Sequence, residues 1–287
     1  MLFRVTCYGM YAVNKVIISN QSVQGGIMCI SASVGRNGSN SHGDVKTVQI
    51  VINMNIDKLT PMSLLEEDGV IGDKTVEAIE TFQQTVMELD QPDGMVDPGG
   101  ETLTKLREGI PKFCQSVLKG IYLDSSESLI EKYCSALSKK MRAYDINTPL
   151  RLSHFLAQVG HESGELRYCE ELASGAAYEG RRDLGNTQPG DGSRFKGRGL
   201  IQLTGRTNYA SYSKARGIDY TTDEGARLPS TDPDTAVDVA CWFWSTHNLN
   251  ELADNDDLQT ITKRINGGLN GIEDRSAKLV RAKFFNT

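Results

Sequence analysis

The sequence predicts a mainly α-helical protein in which a small three-helix bundle precedes a larger helical domain. Three observations carry this expectation. Apolar residues recur at helical spacing along most of the chain, period-2 alternation is almost absent, and two related Asp-Gly turns punctuate the first third. At 287 residues the chain has room for one large domain or two smaller ones, at roughly 100–200 residues each. Hydrophobic residues make up 39% and charged residues 24%, an ordinary globular balance that excludes disorder throughout. No apolar run approaches the roughly 18 residues of a membrane-spanning helix. The net charge of −6 argues against a general nucleic-acid binder, which presents a basic face to phosphates.

Residues 1–34 are expected to form an extension outside the fold, with Met28 as an alternative start. Val13 to Ser19 is too short for the apolar core of a secretory signal, and Lys15 interrupts it. Gly35 to Gly43 reads as a loop. Asp44 then caps a helix whose apolar positions are Val45, Val48 and Ile52. A second helix runs from Lys74 to Met87, capped by Asp73, with Val76, Ile79, Phe82 and Val86 at helical spacing. A short third helix covers Thr102 to Leu106. The turns at Asp68-Gly69-Val70-Ile71-Gly72 and Asp93-Gly94-Met95-Val96-Asp97 link the three, since an Asp-Gly pair makes a tight turn. Three helices joined by repeated turns of this kind over 35–108 resemble the peptidoglycan-binding module of many cell-wall hydrolases.

The second domain is placed at 109–287. Ser125 or Ser126 caps a helix carrying Leu129, Ile130, Tyr133, Leu137 and Met141 on one face. Thr148 followed by Pro149 is a strong helix start, because proline fits the first helical position. The stripe Leu152, Phe155, Leu156 and Val159 follows, and His161 to Gly164 ends it. A long Gly-rich, charged loop covers Ser174 to Arg198. Gly199 to Thr204 reads as a short strand or extended segment, and helices are expected over 234–246, 257–265 and 275–285.

Glu162 lies three residues beyond Val159 and seven beyond Phe155, beside the buried face and near the C-terminal end of its helix. Lost water and the negative end of the helix dipole both favour a protonated carboxyl there, the preparation a general acid needs. Glycoside hydrolysis typically uses a second carboxylate. Glu165, Glu170, Glu171, Glu179 and Asp183 all follow closely, and residue type alone does not choose among them. The loop from Ala177 to Arg198, with arginines, glycines, Asn186 and Gln188, is suited to form one wall of a saccharide cleft. The six cysteines form no Cys-x-x-Cys pair and the four histidines are scattered, so no metal site is indicated and reduced thiols are expected.

The runs FLAQVGHESGELRY, YEGRRDLGNTQPGDGSRFKGRGLIQLTGRTNY and INGGLNGIEDR, in that order, resemble glycoside hydrolase family 19. The similarity is closest to its bacteriophage endolysin branch and covers roughly 110–285. The resemblance implies a two-lobed, lysozyme-like catalytic domain with Glu162 as general acid. It implies Glu179 or Glu170 as the base, with Glu171 next in line, and Thr204 as the hydroxyl that holds the attacking water. It further implies that Gln202 and Asn208 line the cleft, and that Asn266 and Arg275 bind sugar or orient the carboxylates. His161 and Tyr209 are assigned to the substrate side, His161 as hydrogen-bonding support and Tyr209 as a stacking ring like Tyr178, Trp242 or Trp244. At least one of the two tryptophans is expected in the core. No cofactor is implied. The expected function is an inverting muramidase acting on peptidoglycan as a monomer. It would be made in the cytoplasm and released or exported to the wall. A chitinase and a non-catalytic wall-binding protein are the alternatives.

Overall fold

The computed structural model describes residues 29–286, so the proposed start at Met28 and most of the 1–34 extension lie outside the described residues. These residues form two compact units. One comprises residues 29–124 together with residues 280–286, and the other runs from Ser125 to Leu279. The architecture is mainly α-helical, as expected from the periodicity. It has 13 α-helices, four short 3-10 helices and one two-stranded pairing among the described residues.

In the smaller unit, α1 (His42–Asn53), α2 (Asp73–Thr85) and α3 (Glu101–Arg107) bury Val45, Val48, Ile52, Ile79, Phe82, Leu103 and Leu106. The first cap is Ser41 rather than Asp44: the Ser41 hydroxyl accepts from the Asp44 amide. Asp44 serves a longer-range purpose, accepting from the amides of Ser31 (2.9 Å) and Ala32 (3.0 Å). Residues 29–34, placed ahead of the domain by sequence, are thereby tied to it, and Val34 is fully buried. Asp73 is the first residue of α2 and Gly72 its cap. The strand pairing, unseen in the sequence, is β1 (Val34–Gly35) antiparallel to β2 (Met95–Val96). The two Asp-Gly turns are built alike around a buried glutamine. Gln49 accepts from the Gly69 amide and donates to Asp68, the Val70 carbonyl and Thr75. Gln83 accepts from the Gly94 amide and donates to Asp93, the Met95 carbonyl and Thr102. Gly69 and Gly94 have φ of 71° and 67°, a conformation that costs glycine little. The helix α4 (Gln115–Ile121), which the sequence reading left unassigned, also belongs to this unit and packs on α1.

The larger unit begins with α5 (Glu127–Ala143), capped by Ser126, and α6 (Pro149–Ser163), capped by Thr148 with Pro149 at its first position. The long loop after α6 is not structureless: it holds single helical turns at Ala176–Tyr178 and Arg182–Leu184, then α7 (Asp191–Arg194). Next come α8 (Arg206–Arg216), α9 (Leu228–Thr231) and α10 (Pro233–Thr246). α10 is apolar nearly all round and runs through the core against α5. Its buried Asp238 is matched by Lys140 (2.9 Å) and the Tyr212 hydroxyl (2.7 Å). α11 (Leu249–Asp254), α12 (Leu258–Asn266) and the part of α13 (Ile272–Phe285) up to Leu279 follow.

Candidate active site

The end of α6 supplies the first carboxylate. Phe155, Leu156 and Val159 hold that helix to the core, so the next turn carries Glu162 inward and leaves it 4% exposed. Its surroundings are not only the buried apolar face that the periodicity indicates. Arg275, in the first turn of α13 and 1% exposed, donates to Glu162 Oε1 and to Gln158 Oε1. Residues 158 and 162 lie one turn apart on the same helix face, so one guanidinium spans both. α12 ends at Asn266, which donates to the Asn270 carbonyl (2.9 Å) and accepts from the Gly268 amide (2.8 Å). Arg275 Nε shares that carbonyl at 3.4 Å. Glu162, Arg275, Gln158 and Asn266 therefore form one connected cluster. His161 points elsewhere, pairing through Nδ1 with Asp274 at 2.7 Å.

A second cluster forms where residues 169–171 run antiparallel to 197–199. Glu171 N donates to the Gly197 carbonyl (2.8 Å) and Gly199 N to the Cys169 carbonyl (2.9 Å). The GLIQLT segment, expected to be extended, turns back instead, bridging Arg198 to Leu203. Glu170 lies opposite Arg198, 3.1 Å from its guanidinium and 3.2 Å from Lys196, with its side chain 42% exposed. Partial burial works to raise this carboxyl, but the bond from Lys196 and the charge of Arg198 outweigh it and hold it below the usual range. Glu171 accepts from the Tyr178 hydroxyl (3.1 Å) and the Gly197 amide (3.2 Å). Gly197 packs closely against the Gln202 side chain, and a Cβ there would lie 2.6 Å from Gln202 Oε1 and displace that amide. Thr204 donates to the Gln202 carbonyl (2.9 Å) and Asn208 to the Thr204 carbonyl (2.6 Å), so these three are linked in series.

Glu179 bonds back to its own loop. Its two oxygens accept from the amides of Gly190 and Gly192, each at 2.7 Å. α7 is anchored beside them by Asp191, fully buried and paired with Arg206. Tyr209 is not available for stacking on a sugar. It is fully buried against Phe195, its hydroxyl donates to the Lys196 carbonyl (3.1 Å), and burial pushes its phenol up to about 12. Trp244 is also core, edge-on to Phe155 with its indole donating to Asn250 (2.8 Å). Trp242 is half-buried against Tyr212. Spacing along α6 had no means of showing the Arg275 contact, which joins residues 113 apart. Gln158, Asp274 and Lys278 join the site through contacts of the same long range. Among the described residues no cluster of His, Cys, Asp or Glu is arranged to hold a metal ion.

A family model described as chitinase class I matches residues 150–276, which takes in both clusters. A glycosyl hydrolase family 19 domain-containing protein of Haemophilus influenzae is 33% identical over 178 residues, covering 51% of this chain and 85% of that one. An Arabidopsis thaliana endochitinase is 34% identical over 41% of this chain and 39% of its own length. Among solved structures, a bacterial family 19 chitinase matches with a TM-score of 0.50 at 23% identity, over 60% of this chain and 93% of that one. Chitinase C of Streptomyces griseus matches with a TM-score of 0.50 at 22% identity, over 68% of this chain and 82% of that one.

Proposed function

The chain belongs to glycoside hydrolase family 19, and from that premise we propose that it hydrolyses the β-1,4 bonds of peptidoglycan by single displacement with inversion. The observation that carries the catalytic reading is the buried Glu162 on the last turn of α6, fixed by Arg275 through one oxygen. Arg275 engages Oε1, which leaves Oε2 to carry the proton delivered to the bridging oxygen of the glycosidic bond. For the base we favour Glu170 over Glu179. Both Glu179 oxygens already hold backbone amides, whereas Glu170 is partly open and kept ionised by two cations. Thr204 and Gln202 lie on the turn that follows Arg198, where they would position the attacking water. Asn266 and Asn208 would meet the sugar. In an inverting pair the carboxyl groups stand about 6.5–9.5 Å apart with the water between them.

The choice of peptidoglycan is supported by the smaller unit, whose paired Asp-Gly turns resemble a wall-binding module and would hold the enzyme on its polymer. On this reading the protein is a monomer that acts at the bacterial wall after release or export. The plant relatives are named endochitinases, which makes chitin the second reading. Reducing-end release from purified peptidoglycan and from chitin, measured side by side, tests the substrate. Release from chitin alone overturns the peptidoglycan reading, and release from neither favours a non-catalytic wall binder. Glu170→Gln is expected to cost roughly 10²–10⁴-fold in rate and Glu179→Gln far less. The reverse order would move the base to Glu179.

A further inference from the structure

Three pairs join the end of α6 to the start of α13, and all three have the same sequence separation. His161 meets Asp274, Glu162 meets Arg275, and Glu165 meets Lys278, each 113 residues apart. The complementary residues thus share one spacing, 161-162-165 against 274-275-278, and form a parallel ladder. Lys278 also lies 3.5 Å from Asp274, so it links the two outer rungs. The central rung is the proposed acid and its arginine.

We propose that the two outer rungs, His161–Asp274 and Glu165–Lys278, are positioning residues that set the register of α13 on α6 and so deliver Arg275 to Glu162. The proposal rests on the reading of Glu162 as the acid. Two features of the ladder point to this use. Gly164, Glu165 and Leu166 all have positive φ, of 56°, 59° and 71°. Non-glycine residues hold that conformation only where the surroundings over-determine it. Here the Glu165 amide donates to the Gly160 carbonyl (2.8 Å), Leu166 is buried, and the Glu165 carboxylate reaches Lys278 at 2.6 Å. A reversed chain direction at a helix end thus turns a glutamate back onto α13. Asp274 is the second feature. It is the immediate neighbour of Arg275 and would be an alternative partner for a guanidinium. Occupied by His161 and Lys278, it leaves Arg275 to Glu162 and Gln158. Burial works against the charge on Lys278, but Glu165 and Asp274 outweigh it and hold the ammonium protonated above its ordinary range. The His161 ring is seated by Gly271, where a Cβ would lie 2.1 Å from Cε1.

The test uses the full chain, on whichever of peptidoglycan and chitin the unmodified enzyme cleaves. Glu165→Gln, Lys278→Met and Asp274→Asn are compared with the conservative variant Lys278→Arg. Each of the three charge-removing variants is expected to lower kcat roughly tenfold with apparent KM within about twofold, the mark of a misplaced reacting group. Lys278→Arg is expected to keep most of the activity that Lys278→Met loses, because it leaves a cation against both Glu165 and Asp274. Unchanged kcat in all three charge-removing variants overturns the proposal. So does a Lys278→Arg variant no better than Lys278→Met, which also decides the matter if one of the other variants fails to fold. Glu162→Gln in the same assay separates the two readings. Inactive Glu162→Gln beside fully active outer-rung variants removes the ladder alone, and active Glu162→Gln removes the acid assignment with it.

Discussion

The two units solve the same problem, holding polar loops against a core, with different means. In the smaller unit a neutral glutamine does it, twice, through bonds that reach 10 to 26 residues along the chain. In the larger unit the helix-end site is held by buried or half-buried charges that join residues 113 to 117 apart and occur once. A neutral amide costs little to bury once its donors and acceptors are matched, so the first device is local, repeatable and robust. A buried ion pair stabilises little on balance and costs much when half of it is removed. Its use at Glu162 is understandable if the carboxyl group has to be oriented for chemistry, and much less so if it only has to be stable.

This contrast is sharpest for the central pair. Glu162→Gln is expected to lower hydrolysis by roughly 10²–10⁴-fold while the folded state persists, measured as reducing-end release beside circular dichroism. A variant that keeps full activity would make the Glu162–Arg275 pair a structural one, and the contrast between the units would vanish. Arg275→Met leaves the buried oxygens of Glu162 and Gln158 without their donor and is expected to cost about 2–4 kcal/mol of stability. Both tryptophans, Trp242 and Trp244, lie in the larger unit, so their fluorescence on urea titration reads that loss there.

The smaller unit gives the next test. Gln83→Ala removes the acceptor of the Gly94 amide and the donor to Asp93, Met95 and Thr102 at a site 1% exposed. The expected cost is about 2–3 kcal/mol, with Gln49→Ala close to it because the two turns are bonded alike. Far-ultraviolet circular dichroism should report the shift while tryptophan fluorescence stays in place. Equal movement of both signals would mean that the units unfold as one.

The same contrast explains what could be read from sequence. Ser126, Thr148 and the Asp-Gly turns act on neighbours a few residues away, so helix starts and the twin turns were legible from local chemistry. Ser41 was overlooked as a cap because Asp44, three residues on, is also a good capping type, and its use for the Ser31 and Ala32 amides has no local signature. Tyr209 reads as a surface aromatic in a polar run, and only the packing of Phe195 and the Lys196 carbonyl shows it to be core. Arg275 became visible through family resemblance, not through spacing. Glu165, Asp274 and Lys278 did carry a signal: the matched spacing of opposite charges in HESGE and DRSAK. It becomes meaningful only when α6 and α13 are known to be neighbours.

Acid should separate the units by the smallest margin, and in one direction. The bond from Arg206 holds Asp191 below its usual range. Burial works to raise Asp274, but the bond from His161 and the charge of Lys278 outweigh it, so this group is lowered as well. A carboxyl group depressed in the folded state contributes stability above its unfolded pKa and loses it as the pH falls through the folded one. Both residues lie in the larger unit. As the pH falls below about 4 the unfolded chain takes up protons at these positions before the folded unit does. The urea midpoint read by tryptophan fluorescence should therefore fall faster with acidification than the midpoint read by circular dichroism. Asp191→Asn should flatten that fall, since an amide has no proton to gain. An unaltered slope in the variant would mean that the Arg206 pair contributes no pH-linked stability, and that the larger unit, like the smaller one, is held mainly by its neutral contacts.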